Sequence, residues 1–170
     1  MSLTLILIRH AKSDWGDPNL PDHERPLNMR GLRDAPRLGQ WLAENALLPD
    51  RVLCSTARRT QETWAGIATQ LPQPPDPALR SSLYHAAPAD ILTALKASEG
   101  RCVAVIGHNP GIGSLAWSLS NTPPEHPKFG SYPTAACLVL EFEIDDWSEI
   151  TSSTGQVRDF ITPDDLPQAR

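Results

Sequence analysis

Apolar residues follow two rhythms along this chain. Leu3–Ile8 is a short, nearly unbroken apolar run, long enough for a strand buried on both faces and too short for a helix. From Asn28 to Ala46 the spacing changes: Leu32, Ala35, Leu38, Leu42 and Ala46 recur every three or four residues, which predicts an amphipathic helix. Arg51–Cys54 predicts a second strand, and Arg58–Leu71 a second helix with Thr60, Trp64, Ile67, Ala68 and Leu71 along one side. Pro88–Ala97 predicts a third helix, with Pro88 at an early position where the missing N–H costs nothing. Cys102–Ile106 predicts another buried strand and Gly111–Leu119 another helix. Ala135–Phe142 and Glu149–Val157 complete the series as strands, with Asp145-Asp146 in the turn between them. This alternation predicts an α/β fold: a three-layer α/β/α sandwich around a mainly parallel sheet. The last two strands are adjacent and can pair as a hairpin, making the sheet mixed.

Composition narrows the class. A chain of 170 residues suits one domain, taken as 1–162, with the polar, proline-containing segment 163–170 as a flexible tail. Prolines crowd two further stretches, Leu71–Pro77 and Thr122–Pro133, which read as loops. The longest apolar run falls far short of a membrane span and lacks the flanks of a signal peptide, so a cytoplasmic protein is expected. Cys54, Cys102 and Cys137 lie far apart in or beside strand-like runs, the pattern of buried free thiols. Net charge is −5, which argues against a nucleic-acid surface. The basic residues are nonetheless skewed: residues 1–110 hold 12 of the 15 Lys and Arg, so one cleft can still concentrate positive potential.

Three segments carry candidate chemistry, and each follows a predicted strand. Arg9-His10 offers a guanidinium fork for an anion beside an imidazole nucleophile or base. Ser55-Thr56-Ala57-Arg58-Arg59 leads into a helix, where two arginines at the N-terminus oppose the helix dipole unless an anion is bound. The alternative there is a surface ion pair with Glu62. Gly107-His108-Asn109-Pro110 places a second histidine in a tight turn, with Asn109 expected to be extended before Pro110. Ligands of open α/β sheets sit beyond the carboxyl ends of the strands. All three segments converge there, which core packing alone does not require.

These motifs, namely Leu7-Ile8-Arg9-His10-Ala11, Ser55 with Arg59 and Thr63 behind it, and Gly107-His108-Asn109-Pro110, resemble the histidine phosphatase superfamily. Arg25-Pro26-Leu27-Asn28-x-x-Gly31 and Leu83-Tyr84-His85-Ala86 are most similar to its SixA-type phosphohistidine phosphatases. The resemblance covers roughly residues 3–140 and implies a phosphoglycerate mutase-like fold. It also implies that His10 is the phosphorylated nucleophile and that Arg9, Arg59 and His108 grip the phosphoryl oxygens. Arg25 would face the pocket, with Asn109 and Ser55 in supporting contact. No metal or other cofactor is implied, since arginines and His108 supply the positive charge. The implied partner is a phosphorylated protein, such as a histidine-containing phosphotransfer domain, or a small phosphorylated substrate; nucleic acid and membrane are not expected.

One departure bears on the substrate. Larger members of the superfamily carry an acidic residue in mid-chain that protonates an alcohol leaving group. Leu79–Ala89 contains no Asp or Glu, leaving Tyr84 and His85 as the proton donors on offer. A phosphorylated imidazole can depart neutral, so the missing acid favours a phosphoramidate such as protein phosphohistidine. The alternatives are a phosphatase of a small phosphomonoester, a non-catalytic phospho-ligand binder, and a metal-dependent hydrolase built on His10, His108 and Asp14. Elsewhere, His23 and His126 are expected to be solvated, and Trp41, Trp64 and Trp117 to pack in the core. Trp15 is expected either to line the cleft mouth or to pack in its loop, and Lys12 to be solvated.

Overall fold

A computed structural model describes residues 2–167 of the chain. Six strands form one sheet: β1 (Leu3–Arg9), β2 (Arg51–Ser55), β3 (Ala78–Arg80), β4 (Cys102–Gly107), β5 (Cys137–Phe142) and β6 (Gln156–Ile161). Their spatial order is β3-β2-β4-β1-β5-β6. The β3-β2-β4-β1 half is parallel, while β5 runs antiparallel to β1 and β6 antiparallel to β5. The four helices are α1 (Met29–Glu44), α2 (Arg58–Ala68), α3 (Pro88–Lys96) and α4 (Gly111–Leu119).

Alternation along the strands builds two cores. Leu5, Leu7, Val103, Val105, Leu138 and Leu140 face α3 and α4, where Ile91, Leu95, Ile112 and Leu115 meet them. Ile6, Ile8, Ala104, Ile106 and Val52 point the other way, onto Leu38 and Leu42 of α1 and Trp64 and Ile67 of α2. A sheet covered on both faces explains why its strands read as continuous apolar runs. Asn28 caps α1 by accepting the Gly31 N–H at 2.9 Å, worth about 1 kcal/mol. The three cysteines are free, two of them fully buried, and burial pushes the thiols of Cys54 and Cys102 up to about 12.

Several expectations need correction. Strand β6 starts at Gln156, not Glu149, because buried Trp147 and Ile150 plug one layer first, with the Trp147 indole donating to the Gly100 carbonyl at 2.8 Å. Strand β3 has three residues and too little apolar signal to be predicted. Leu32 is 55% exposed, because Gly31, Ala35, Leu38 and Leu42 form the inner stripe of α1. Trp117 is 60% exposed for the same reason: Leu115 and Leu119 face inward and the residue between them faces out. Trp64 is buried and Trp41 is partly so. Residues 163–165 form a 3-10 turn, and Leu166 is buried beyond it. Arg37 ties this segment to α1 by donating to the carbonyls of Pro163, Leu166 and Pro167 at 3.3, 3.0 and 2.9 Å. Residues 168–170 of the expected tail lie outside the described residues. No described helix is long and apolar enough to cross a membrane.

Candidate active site

Register brings the chemistry to one level. Arg9 lies beside Gly107, and Ile106 pairs with both Ile8 and Cys54, so the residues leaving β1, β4 and β2 emerge together. Those residues are His10, His108 and Ser55, all buried. Thr63 of α2 fastens the arrangement: its Oγ1 accepts the Ala11 N–H at 2.9 Å and donates to the Arg59 carbonyl at 2.7 Å. Gly111 allows the other wall to close. A Cβ at this position would stand 1.9 Å from the Ala86 carbonyl oxygen, so only glycine lets the Tyr84–Ala86 segment lie against the start of α4.

The two imidazoles sit with ring centres 5.3 Å apart. The Nδ1 of His10 is 2.7 Å from the Ala11 carbonyl, which can only accept, so Nδ1 carries the proton and Nε2 keeps its lone pair. Burial, with Arg59 and Arg9 adding repulsion, pulls His10 down to about 4. His108 falls to about 3, again mainly by burial, with His10 and Arg59 next. Both rings are therefore neutral at pH 7. The Nδ1 of His108 faces the Arg59 Nη2 at 3.4 Å and must accept, so its Nε2–H donates to Ser55 Oγ at 2.8 Å.

Around the rings stand guanidiniums with uncommitted N–H groups. Arg9 donates Nη1 to the Tyr132 carbonyl at 3.1 Å, while its buried Nε has no partner among the described residues. Arg25 donates Nη1 to the Asp17 carbonyl at 3.1 Å and stacks over Trp15 at 4.3 Å; its Nε makes no hydrogen bond but faces the Asp22 carboxylate at 3.9 Å. A buried unpaired donor costs about 1–3 kcal/mol, so the orphaned Arg9 Nε points to an anion that would satisfy it. Arg59 donates Nη1 to the Asp22 carbonyl at 2.7 Å and Nη2 to the Asp22 carboxylate at 3.0 Å. Its neighbour Arg58 turns outward to Glu62 at 3.4 Å, so of the two arginines expected at the start of α2 only Arg59 enters the pocket.

Asp22 was not foreseen. Residues 79–89 hold no acidic side chain, but a carboxylate reaches Tyr84 and His85 from the 3-10 turn Asp22–Glu24 instead. Its one sequence signal is its place three residues before Arg25. Tyr84 donates its hydroxyl to Asp22, and His85 Nε2 lies 3.0 Å from the same oxygen. Hydrogen bonds from Tyr84, His85 and Arg59 overcome desolvation and hold the carboxyl well below the usual range. Asp22 is thus a permanent anion, and it holds the Tyr84 hydroxyl rather than freeing it as a donor. His85 takes a left-handed φ of 49°, which sets its ring 5.0 Å from that of His108.

Asn109 takes a supporting place. It precedes Pro110 through a cis peptide bond. Its amide donates to the Ser131 and Tyr132 carbonyls at 3.0 Å each and accepts the Gly113 N–H at 3.2 Å, so it has no group left for a ligand. It holds the carbonyl that orients Arg9. His23 is not simply solvated either, bonding Thr56 Oγ1 at 2.9 Å, and His126 pairs with Asp165 at 2.9 Å. Trp15 is 61% exposed above Arg25, as expected for a cleft mouth. Among the described residues no three His, Cys, Asp or Glu side chains are grouped to hold a metal ion.

The depressed histidines give a stability prediction with a definite sign. Between pH 6.5 and about 4 the unfolded chain protonates at His10 and His108 while the folded protein does not, so stability falls as pH drops. The loss is on the order of 2–3 kcal/mol per ring across that window. Thermal unfolding at pH 7 and pH 4.5 measures it, and inorganic phosphate should raise the melting temperature at both. A melting temperature that is flat over this range would show that the rings titrate normally.

Comparison with known proteins agrees with this geometry. The family model of the histidine phosphatase superfamily (branch 1) matches residues 5–83. An uncharacterized protein of Mycobacterium tuberculosis is 34% identical over 163 residues, covering 92% of this chain and 99% of the relative. The solved structure of a Nakamurella multipartitia protein, assigned as the phosphohistidine phosphatase SixA, superposes with a TM-score of 0.80 at 27% identity, over 96% of this chain and 97% of the other. The protein histidine phosphatase SixA complexed with tungstate shares the fold, with a TM-score of 0.74 at 22% identity over 95% and 97%. With Arg-His leaving the first strand, a second histidine leaving the fourth and a buried arginine between them, the chain belongs to the histidine phosphatase superfamily, on its SixA-type branch.

Proposed function

We propose that this phosphatase removes the phosphoryl group from phosphohistidine in proteins, passing it through His10 to water without a metal. The observation that carries the proposal is the His10 imidazole, neutral and fixed in one tautomer, with a free Nε2 beside Arg59 and the unpaired Nε of Arg9. Phosphoryl transfer has a loose transition state, so catalysis is largely positioning and charge stabilisation. Planar guanidiniums suit the equatorial oxygens, and Arg9, Arg59 and Arg25 are the groups to hold them. The Nε2 lone pair of His10 bonds to phosphorus as the P–N bond of the substrate breaks and its electron pair returns to the leaving ring. Water then attacks phospho-His10, releasing inorganic phosphate and restoring the imidazole.

His108 joins the grip only on taking a proton at Nδ1, which an arriving dianion favours. The SixA neighbours support a phosphorylated protein as substrate, and tungstate, a tetrahedral oxyanion, is the ligand in one of them. With Asp22 ionised and Tyr84 and His85 both bonded to it, no group here is free to protonate a leaving alcohol, which favours imidazole. The test compares a histidine-phosphorylated peptide with a serine-phosphorylated one. We expect kcat/KM to favour the former by at least about 10³-fold, since an alkoxide leaving group lacks a proton donor. Comparable rates would identify a phosphomonoesterase instead, and binding without turnover would identify a phospho-ligand binder.

A further inference from the structure

Asp22 sets an electrostatic problem. Arg9 and Arg59 beside His10 suit a dianion, yet a carboxylate lies 3.0 Å from the Arg59 Nη2, and 3.9 Å from the Nε of Arg25, where it repels one. Holding Arg59 does not require that charge. The main-chain carbonyl of Asp22 already accepts from Arg59 at 2.7 Å, and a neutral side-chain oxygen would serve for the second contact. Donating a proton does not explain it either, because the group stays ionised at any working pH.

We propose that Asp22 is a specificity-determining residue that seats a phosphorylated imidazole, its carboxylate accepting the N–H of the substrate ring's unphosphorylated nitrogen. This rests on the phosphohistidine reading above and sharpens it. An imidazole carrying a phosphoryl group on one nitrogen and hydrogen on the other is a cation. As His10 Nε2 bonds to phosphorus, the P–N bond breaks and its electron pair neutralises that ring. Neutral imidazole leaves with its remote N–H in place, and no proton need be delivered. A carboxylate against that N–H keeps the ring protonated and therefore labile. The nucleophile carries the same device: the Ala11 carbonyl holds the Nδ1 proton of His10, so phospho-His10 forms as the cation that water can attack. A phosphate ester has no N–H to offer, and its developing negative charge is opposed by the carboxylate.

The neighbours suit such a seat. Arg59 from α2, Arg25 from the end of the 22–24 turn, and Tyr84 and His85 from the segment after β3 contact the Asp22 side chain. His10 and His108, at the ends of β1 and β4, feel its charge. The Tyr84 and His85 rings, 5.4 and 5.0 Å from that of His108, offer aromatic faces to an entering imidazole.

Asp22→Asn keeps a side-chain oxygen and removes the charge, in a partly exposed turn that tolerates the change. On a histidine-phosphorylated peptide kcat/KM should fall about 30-fold, the value of a charge-assisted hydrogen bond. On 4-nitrophenyl phosphate it should rise about threefold as repulsion is lifted. A parallel fall on both substrates means that Asp22 only props Arg59, which overturns the proposal and leaves the phosphohistidine reading intact. Wild-type protein that turns over the aryl phosphate and not the peptide removes both. The wild type supplies a second measurement: the alkaline limb of kcat on the peptide should lie at least about one pH unit above the ring pKa of the free phosphopeptide. Coincidence of the two overturns the proposal even if the variant fails to fold.

Discussion

His10→Ala should abolish turnover, by about 10⁴-fold or more, while the protein remains folded. No other group can take over the attack. His108 has both ring nitrogens engaged, Nε2 with Ser55 and Nδ1 against Arg59. His85 is bonded to Asp22 and Tyr84 is committed to the same carboxylate. The fold has little at stake, because His10 makes one side-chain hydrogen bond and lies at the rim of the core rather than within it. We expect a stability change of about 1–2 kcal/mol, visible as a small shift in melting temperature. Rapid acid-free quenching with a labelled phosphopeptide should trap an alkali-stable, acid-labile phosphoenzyme in the wild type and none in the variant. A variant with more than a few per cent of wild-type activity would move the nucleophile elsewhere.

The architecture was legible because both faces of the sheet are covered. That makes strands such as Leu3–Arg9 and Cys102–Gly107 plainly apolar, and the helices between them plainly periodic. What escaped was held by few residues or by side chains out of phase. Strand β3 contributes three residues, and β6 is displaced by the Trp147 plug. The catalytic candidates were legible for a different reason: His10, Ser55 and His108 each stand one or two residues beyond the end of an apolar run, so topology alone groups them. Asp22 and the true office of Asn109 were not. Both act through a loop whose path depends on tertiary contacts, from Leu27 N–H to Glu62 at 2.8 Å and from Asn109 to the 131–132 carbonyls. Nothing in local spacing says where such a loop will lie. Asn109→Ala accordingly should weaken activity by about tenfold through a misplaced Arg9. It should act mainly on kcat for both peptide and aryl substrates, and a change confined to one substrate would restore direct substrate contact to Asn109.

Arg59→Ala and Arg59→Lys should fail in different ways, and the difference separates geometry from charge. Arg59 is 3% exposed, donates to the Asp22 carboxylate at 3.0 Å and faces His108 Nδ1 at 3.4 Å. Truncation to alanine removes a two-pronged donor aimed at the phosphoryl oxygens, a loss of about 3–4 kcal/mol in kcat/KM by analogy with an oxyanion donor. It also removes a positive charge that, after burial, helps depress both imidazoles, and it weakens the compensation of the Asp22 anion that raises them. Burial, the larger cause, still holds the His10 pKa down, but losing the Arg59 repulsion raises it from about 4, so the alanine variant should lose more activity at pH 5 than at pH 8. Lysine keeps the charge and gives up the planar fork. Its loss should reach most of the alanine value at pH 8 and show no added deficit at pH 5. Profiles of kcat/KM, normalised to wild type at each pH, read both effects at once. A lysine variant within threefold of wild type would mean that Arg59 serves as a point charge alone. An alanine variant with a pH-independent deficit would mean that burial by itself sets the state of His10.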